Sequence, residues 1–320
     1  MSATTNSIQK TRLQKILSIA LPCILCWSFT YLSTNIFTNY AYGLFIGLPI
    51  VLGSTSTLIL AYKNQPSRES LKYNAYLTLL IFCIGLLFFA WEGVICLIMA
   101  APIGIFFTYA GFVIAYIFCK SKLSTITPPV IILLMFSVPA LMAFEYNLKP
   151  DEDLRAVTSS IEINASPENV WENIIEFPQL KQPTEFIFKT GIAYPINATI
   201  KGQGVGAVRY CNFSTGSFIE PITTWDKPHL LKFSVVDQPE PMKEISPYNN
   251  IHPTHLHGFW VSKQGQFKLT ALPNGSTLVE GTTWYVNKIK PNIYWTIWSD
   301  FIVHKIHQRV LNHIKTQAEH

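Results

Sequence analysis

The stretch that decides the fold of the C-terminal half is Ile161-Glu-Ile-Asn-Ala-Ser-Pro-Glu-Asn-Val-Trp171. From Thr158 to Asn164, apolar and polar side chains alternate as in a half-buried strand. Ser166-Pro-Glu168 then has the composition of a helix start, with serine as the cap and proline in the first turn. An apolar stripe of helical spacing follows, so we predict a strand that leads directly into a short helix.

Residues 196–287 read as a run of antiparallel strands. Turn residues separate them, for example Ser214-Thr-Gly216 and Pro273-Asn-Gly275. A long final helix is predicted from Pro291 to Ala318, with Val303, Ile306, Val310 and Ile314 as its apolar stripe. Long helices on one face of an antiparallel sheet make an α+β layer fold. The predicted strands are 196–201, 205–213, 217–225, 230–236, 260–271 and 277–287.

Three local patterns resemble the SRPBCC superfamily, which includes the START and polyketide cyclase-like proteins. Ile161–Trp171 resembles its opening strand and helix, Thr224-Trp-Asp-Lys-Pro-His-Leu-Leu-Lys-Phe233 its mid-sheet turn, and Gly281-Thr-Thr-Trp-Tyr285 its closing strand. The resemblance covers about residues 157–318. It implies a helix-grip fold, in which a curved antiparallel sheet surrounds a long C-terminal helix. It also implies an apolar cavity suited to a lipid or a polycyclic ligand.

Aromatic and aliphatic side chains of these elements are the candidates for lining such a cavity, and ordinary core packing is the alternative for each. Trp284 and Tyr285 are neighbours on one strand, and the sequence leaves open which of them faces inward. Trp295 and Trp298 have a second alternative, a place at a membrane interface. The cavity candidates are Tyr210, Phe213, Trp225, Phe233, Trp260, Phe267, Trp284, Tyr285, Trp298, Ile302 and Ile306.

The N-terminal half has a different composition, because residues 16–145 are almost entirely apolar. A bilayer core needs about 20 apolar residues in a helix. We therefore predict an α-helical transmembrane domain over 16–145, followed by a polar linker at 146–157 and the helix-grip domain at 158–318. Five spans are predicted, at about 16–33, 40–62, 75–91, 93–119 and 127–145.

Basic residues predict the orientation of these spans, since cytoplasmic loops are enriched in lysine and arginine. The loops 34–39 and 91–93 contain neither residue type. Residues 1–15 are therefore expected in the cytoplasm, and five spans place the C-terminal domain on the other side. We expect the inner membrane of a bacterium, with the domain in the periplasm. The basic residues that set this orientation are Lys10, Arg12, Lys15, Lys63, Arg68, Lys72, Lys120 and Lys122.

Few polar residues suggest chemistry. Glu92, the acid between the third and fourth predicted spans, is interpreted either as an interfacial carboxylate at a helix N-terminus or as a polar contact for the domain or a ligand. His252, His255 and His257 form the densest group of possible metal ligands. Ordinary loop histidines are the alternative, so no metal and no other cofactor is expected.

Catalytic candidates are weak. His304 has Asp300 four residues before it, which could orient the imidazole as a general base, although a surface pair is the simpler interpretation. His255 and Glu220 are the other acid–base candidates. Arg209, Glu220 and Glu280 lie on predicted strands and could place a charge in the cavity, although we expect each of them on the solvent face.

The sequence therefore predicts a membrane-anchored binding protein for a hydrophobic small molecule or lipid, more readily than an enzyme. The alternatives are a cyclase- or aromatase-type enzyme on an apolar substrate, or a non-catalytic interaction domain of a membrane complex. The net charge of +5 includes no block of like charge, so nucleic acid is not an expected partner. The long loop that begins at Gln238 is the preferred candidate for gating the cavity.

Overall fold

The computed structural model describes residues 2–120, 127–148, 153–248 and 251–320. Lys122, part of the predicted linker (149–152) and two residues of the long loop (249–250) lie outside this set. The chain divides into two units. The helical unit comprises residues 1–150, 244–254 and 289–291, and the sheet unit comprises residues 151–243, 255–288 and 292–320.

Five long helices make up most of the helical unit. They are α1 (Ser2–Tyr31, continued by a π-helical turn at Leu32–Ile36), α2 (Leu48–Ala61, preceded by a π-helical turn at Gly43–Gly47), α3 (Arg68–Phe88), α4 (Val94–Lys120) and α5 (Thr127–Tyr146). Within the described residues, five helical segments are long and apolar enough to cross a membrane: Thr11–Ile36, Gly43–Ala61, Arg68–Phe88, Val94–Lys120 and Pro129–Tyr146.

Small residues let α2 and α4 pack closely. A side chain at Gly53 would collide with the carbonyl of Thr108, and one at Gly111 would collide with the carbonyl of Ile50. Ser54 also donates a hydrogen bond of 3.1 Å to the Gly111 carbonyl. Such small-residue contacts are typical of helices that pack within a bilayer. A core cluster of the helical unit is formed by Cys23, Cys26, Leu48, Val51, Leu52, Phe82, Leu86, Val138 and Met142, the two cysteines being free thiols.

The sheet unit is built on seven antiparallel strands. They are β1 (Leu154–Ile163), β2 (Pro195–Lys201), β3 (Val208–Phe213), β4 (Gly216–Asp226), β5 (Leu230–Ser234), β6 (Trp260–Ala271) and β7 (Thr277–Asn287). Their order in the sheet is β1-β7-β6-β5-β4-β3-β2. The first strand of the domain therefore pairs with the last, and the intervening strands form a meander.

The helices of this unit are α6 (Pro167–Ile175), α7 (Phe186–Lys189) and α8 (Asn292–Ala318). Ser166 caps α6, since its Oγ accepts a hydrogen bond from the Asn169 amide at 3.4 Å. The predicted strand-to-helix unit at Ile161–Trp171 is thus present.

Helix α8 contacts β1 and β2, which are the two opposite edges of the sheet, as well as β7. The sheet must therefore curve around the helix, and this arrangement is consistent with a helix-grip fold. The buried stripe of α8 is Val303, Val310, Leu311 and Ile314. It differs from the predicted stripe because Ile306 is only half-buried.

Candidate functional site

The candidate site is a half-open groove at the N-terminal end of α8, with a volume of about 380 Å³. One wall is the first two turns of the helix, and the other is formed by the start of β1 and the end of β7. The helix wall is partly apolar, whereas the sheet wall is mainly polar. The lining residues are Asp153, Arg155, Tyr285, Asn287, Asn292, Ile293, Thr296 and Ile297.

A hydrogen-bonded network fixes two of these lining residues. Tyr285 donates a hydrogen bond of 2.6 Å to Asp300 Oδ1, and Arg155 forms a bidentate pair with the same carboxylate. Burial and then the hydrogen bond to Asp300 raise the pKa of the Tyr285 phenol above its usual value. Burial alone would raise the pKa of Asp300, but the hydrogen bonds from Arg155 and Tyr285 outweigh it and lower this pKa. The groove therefore has an ionised side, where Arg155 is paired with Asp300.

A row of polar side chains follows where α8 packs on β1 and β7. Ser159 Oγ lies 2.6 Å from Nδ1 of His304 and 3.1 Å from Nδ1 of His307. The other ring nitrogen of His307 lies 2.7 Å from Thr283 Oγ1. Burial, with a smaller contribution from His304, lowers the pKa of His307 to about 4, so this ring is neutral at pH 7. Asp300, the suggested partner of His304, instead accepts from Arg155 and Tyr285.

An ion pair lies inside the domain. Arg209 on β3 and Glu220 on β4 are cross-strand partners, and their side chains form a buried salt bridge. The Arg209 Nε also donates to the Ile175 carbonyl at 3.1 Å. Burial alone would lower the pKa of Arg209, but the carboxylate of Glu220 outweighs it, so the guanidinium stays charged. The expectation that both residues lie on the solvent face is wrong, because both are buried.

Three phenylalanine rings surround this guanidinium. Its carbon lies 5.6 Å from the ring centroid of Phe177, 5.5 Å from that of Phe233 and 5.9 Å from that of Phe267. Phe233 lies opposite Gly265, where a side chain would collide with the ring. Gly265 thus leaves room for the ring of Phe233, which packs on the Arg209 guanidinium.

The predicted cavity residues occupy four environments. Tyr210 and Trp284 lie on the outer face of the sheet, where Lys201 and Lys232 respectively approach their rings at 5.1 and 5.3 Å. Tyr285 is the neighbour that faces inward. Phe213, Trp225, Phe233 and Phe267 belong to the main core, Trp260 and Tyr285 to a second cluster, and Trp298, Ile302 and Ile306 to half-buried positions of α8.

The remaining candidates do not line the groove. His255 is buried in the 3₁₀ turn Thr254–Leu256, His252 is exposed, and exposed His257 has its Nε2 3.2 Å from Glu240. Trp295 is buried. Glu280 lies on the outer face as expected, with its carboxylate 3.3 Å from Lys268 Nζ. In the helical unit, Glu92 precedes α4, is buried and accepts a hydrogen bond of 3.1 Å from the Tyr40 hydroxyl.

Of the predicted cavity residues, only Tyr285 lines the groove. Arg155 was not among the predicted site residues, because the predicted linker (146–157) includes it. Ile293 and Ile297 were not among them either, because the predicted apolar stripe of α8 begins at Val303. Their spacing of four residues was a usable signal, since it places both side chains on one helix face.

No family model matches the chain, and no curated protein matches it. Solved structures with helix-grip folds match about half of it. Norcoclaurine synthase from Thalictrum flavum is 14% identical over 52% of this chain and 95% of its own, with a TM-score of 0.33. XoxI from Bacillus cereus is 16% identical over 50% and 93%, with a TM-score of 0.32. An Aha1 dimer from Colwellia psychrerythraea is 18% identical over 52% and 96%, with a TM-score of 0.30.

Proposed function

We propose that this chain is a membrane-anchored binding protein whose helix-grip domain takes a hydrophobic small molecule or lipid on the extracytoplasmic side. The groove beside α8 carries this proposal. Its volume of about 380 Å³ falls in the usual range for small-molecule sites, about 300–1,000 Å³. Apolar side chains on one wall and polar groups on the other suit an amphiphile, with its polar end toward Arg155.

The five apolar helices support the membrane anchor by length and composition. Two segments of the helical unit support the orientation, residues 244–254, which come after β5, and residues 289–291, which come after β7. The Val94 amide donates to the Ile245 carbonyl at 2.8 Å, and the Lys290 amide donates to the Tyr40 carbonyl at 2.9 Å. Both contacts lie at the helix turns without lysine or arginine, the end expected outside the cytoplasm. In a Gram-negative bacterium, this side is the periplasm.

The enzymatic alternative has weaker support from the side-chain geometry. Glu220 is held in a buried salt bridge, so its carboxylate is already paired with Arg209. His304 is bonded to Ser159 and Gln308, and does not line the groove. A general base needs its nitrogen or oxygen within reach of the substrate. We therefore propose binding as the function, and assign no catalytic residue.

Native mass spectrometry of the full chain, released from a mild detergent, tests the binding proposal. We expect a discrete bound mass that solvent extraction identifies as apolar or amphiphilic. Thr296→Trp fills the groove and should abolish the bound mass. Val236→Trp, at an exposed position away from the groove, is the control and should retain it. A wild-type chain that carries no ligand and takes up no lipid, or equal loading of both variants, would overturn the proposal.

Reporter fusions after His320 test the orientation separately. We expect a reporter that is active only outside the cytoplasm to be active, and one that fluoresces only in the cytoplasm to be dark. The opposite pattern would refute the extracytoplasmic assignment and leave the binding proposal to be judged by its own experiment.

A further inference from the structure

Helix α8 carries an exposed apolar ridge at its N-terminal end. Ile293, Ile297 and Phe301 follow one another at intervals of four residues, and so share one face of the helix. Their side chains are 83%, 66% and 45% exposed. We call these three residues the α8 ridge.

The α8 ridge is separate from the face that packs in the core. Val303, Val310 and Ile314 are buried, and they supply the hydrophobic contact that holds α8 on the sheet. An amphipathic helix normally exposes polar residues on the side opposite to its core. The first three turns of α8 instead have apolar groups outside as well, and contiguous exposed apolar side chains mark a surface for a partner or a membrane.

Chain connectivity limits where the α8 ridge can be. The Lys290 amide is hydrogen-bonded to the Tyr40 carbonyl, in the turn between the first two candidate spans. Ile293 follows three residues later, and three residues reach at most about 11 Å. The polar layer on each side of a bilayer core is about 6 Å thick. The start of the ridge is therefore confined to the neighbourhood of the lipid surface if the helices cross a membrane.

The side chains around the α8 ridge fit that surface. Lys305 lies one turn beyond Phe301, with its ammonium 5.8 Å from the ring centroid. Lys288 and Lys290 precede the helix. Lysines beside apolar residues can extend toward lipid phosphates while their aliphatic stems cover apolar surface. Apolar residues flanked by cations are the pattern of helices that lie in a membrane interface.

We propose that the α8 ridge inserts into the interfacial layer of the bilayer that holds the five helices. Because Ile293 and Ile297 also line the groove, its apolar wall then opens to lipid, and the ligand enters from the outer leaflet without crossing water. The inference rests on the membrane anchor in the proposed function. To the proposed function it adds the surface of α8 that contacts lipid and the leaflet from which the ligand enters.

Spin-label accessibility in the full chain tests this contact. The label is introduced as an unnatural amino acid, because native Cys83, Cys96 and Cys119 are only half-buried and would compete for a thiol reagent. Each variant is reconstituted in vesicles of phosphatidylethanolamine and phosphatidylglycerol. Relaxation by oxygen, which concentrates in lipid, is compared with relaxation by a water-soluble nickel chelate.

Labels at Ile293 and Ile297 should give an oxygen-to-nickel ratio several-fold higher than labels at Val205 and Val236. Those two controls are exposed to a similar degree, 69% and 65%, elsewhere on the sheet unit. A label at Leu133, exposed on α5, reports whether the helices lie in lipid.

The three sets of labels test the ridge proposal and the membrane anchor separately. A lipid-like value at Leu133 with water-like values at Ile293 and Ile297 would overturn the ridge proposal and leave the membrane anchor standing. A water-like value at Leu133 would overturn both. Lipid-like values at all positions, Val205 and Val236 included, would also refute a specific role for the ridge.

Discussion

Removing the Glu220 carboxylate alone should lower the stability of the sheet unit far more than removing both charges of the buried Arg209–Glu220 pair. In Glu220→Gln, the guanidinium stays buried among three phenylalanine rings without its counter-charge. Breaking a buried ion pair in this way costs about 3–5 kcal/mol. This is a large part of the stability of an ordinary domain, about 5–15 kcal/mol.

The double variant Arg209→Met with Glu220→Leu removes both charges and keeps apolar volume. Replacement of a buried pair by apolar residues ranges from neutral to about 1–4 kcal/mol stabilising. The Ile175 carbonyl loses its hydrogen bond from Arg209, which costs about 1–3 kcal/mol. These contributions nearly offset each other, so the double variant should be close to wild type. An exposed pair is the matched control: Glu280→Gln breaks the contact with Lys268 and should change stability by less than about 1 kcal/mol.

Cys211 provides a readout confined to this domain. It is buried on the same face of β3 as Arg209, and burial raises the pKa of its thiol to about 12, so it reacts only when the domain opens. Pulse labelling followed by peptide mass spectrometry measures its reactivity in the full chain. A loss of about 3 kcal/mol corresponds to a labelling rate that is about 100-fold higher. Equal rates in Glu220→Gln and wild type, or a double variant as reactive as Glu220→Gln, would refute this reasoning.

Three further outcomes are expected. His307 has a pKa of about 4 in the folded domain and 6.5 when unperturbed, so between these pH values the unfolded chain binds a proton that the folded chain excludes. The free energy of unfolding should therefore fall by at most about 3 kcal/mol as pH drops from 6.5 to 4. Urea titrations at several pH values measure this dependence, and His307→Gln should flatten it. Gly265→Ala should cost about 1–3 kcal/mol by overpacking against Phe233, and Phe233→Leu in the same chain should restore part of it in thermal unfolding. Tyr285→Phe deletes the hydrogen bond to Asp300 and should lower stability by about 1 kcal/mol without loss of the fold, as judged by circular dichroism and urea unfolding.

The sequence was sufficient to predict the strands and the long helices, because turn residues and periodicity are local signals, but it did not predict the short helix α7. The strands 260–271 and 277–287 were predicted with the bounds that the structure has. Which side chains of each strand face the core was harder to predict. β4 has a register shift between Ile222 and Thr224, and this shift turns Trp225 toward the core. Alternation alone cannot locate such a bulge, since one extra residue reverses every side chain that follows.

The buried ion pair could have been foreseen in part. Ser214 and Thr215 form a two-residue turn between Phe213 and Gly216, and a turn of this length fixes the register of a hairpin. Counting back four residues on each side places Arg209 opposite Glu220. Opposite charges at a cross-strand position predict a pair, although they do not show which face of the sheet carries it. The groove gave a weaker signal, the four-residue spacing of Ile293 and Ile297, because it is assembled from the start of β1, the end of β7 and the start of α8.

The long loop expected to gate the ligand is held along its described length. Gln238 bonds Trp260 and Ser262 at 2.8 Å each, and the Lys243 amide donates to the Gly191 carbonyl at 2.8 Å. Farther on, the Ile245 carbonyl and the Tyr248 hydroxyl are bonded within the helical unit. Opening such a segment breaks several hydrogen bonds, so it is a poor lid. The groove is instead bordered by Ile293 and Ile297 of α8. Access to the proposed ligand site would then be set by what covers this helix face, and substitutions there should change loading more than substitutions in the loop.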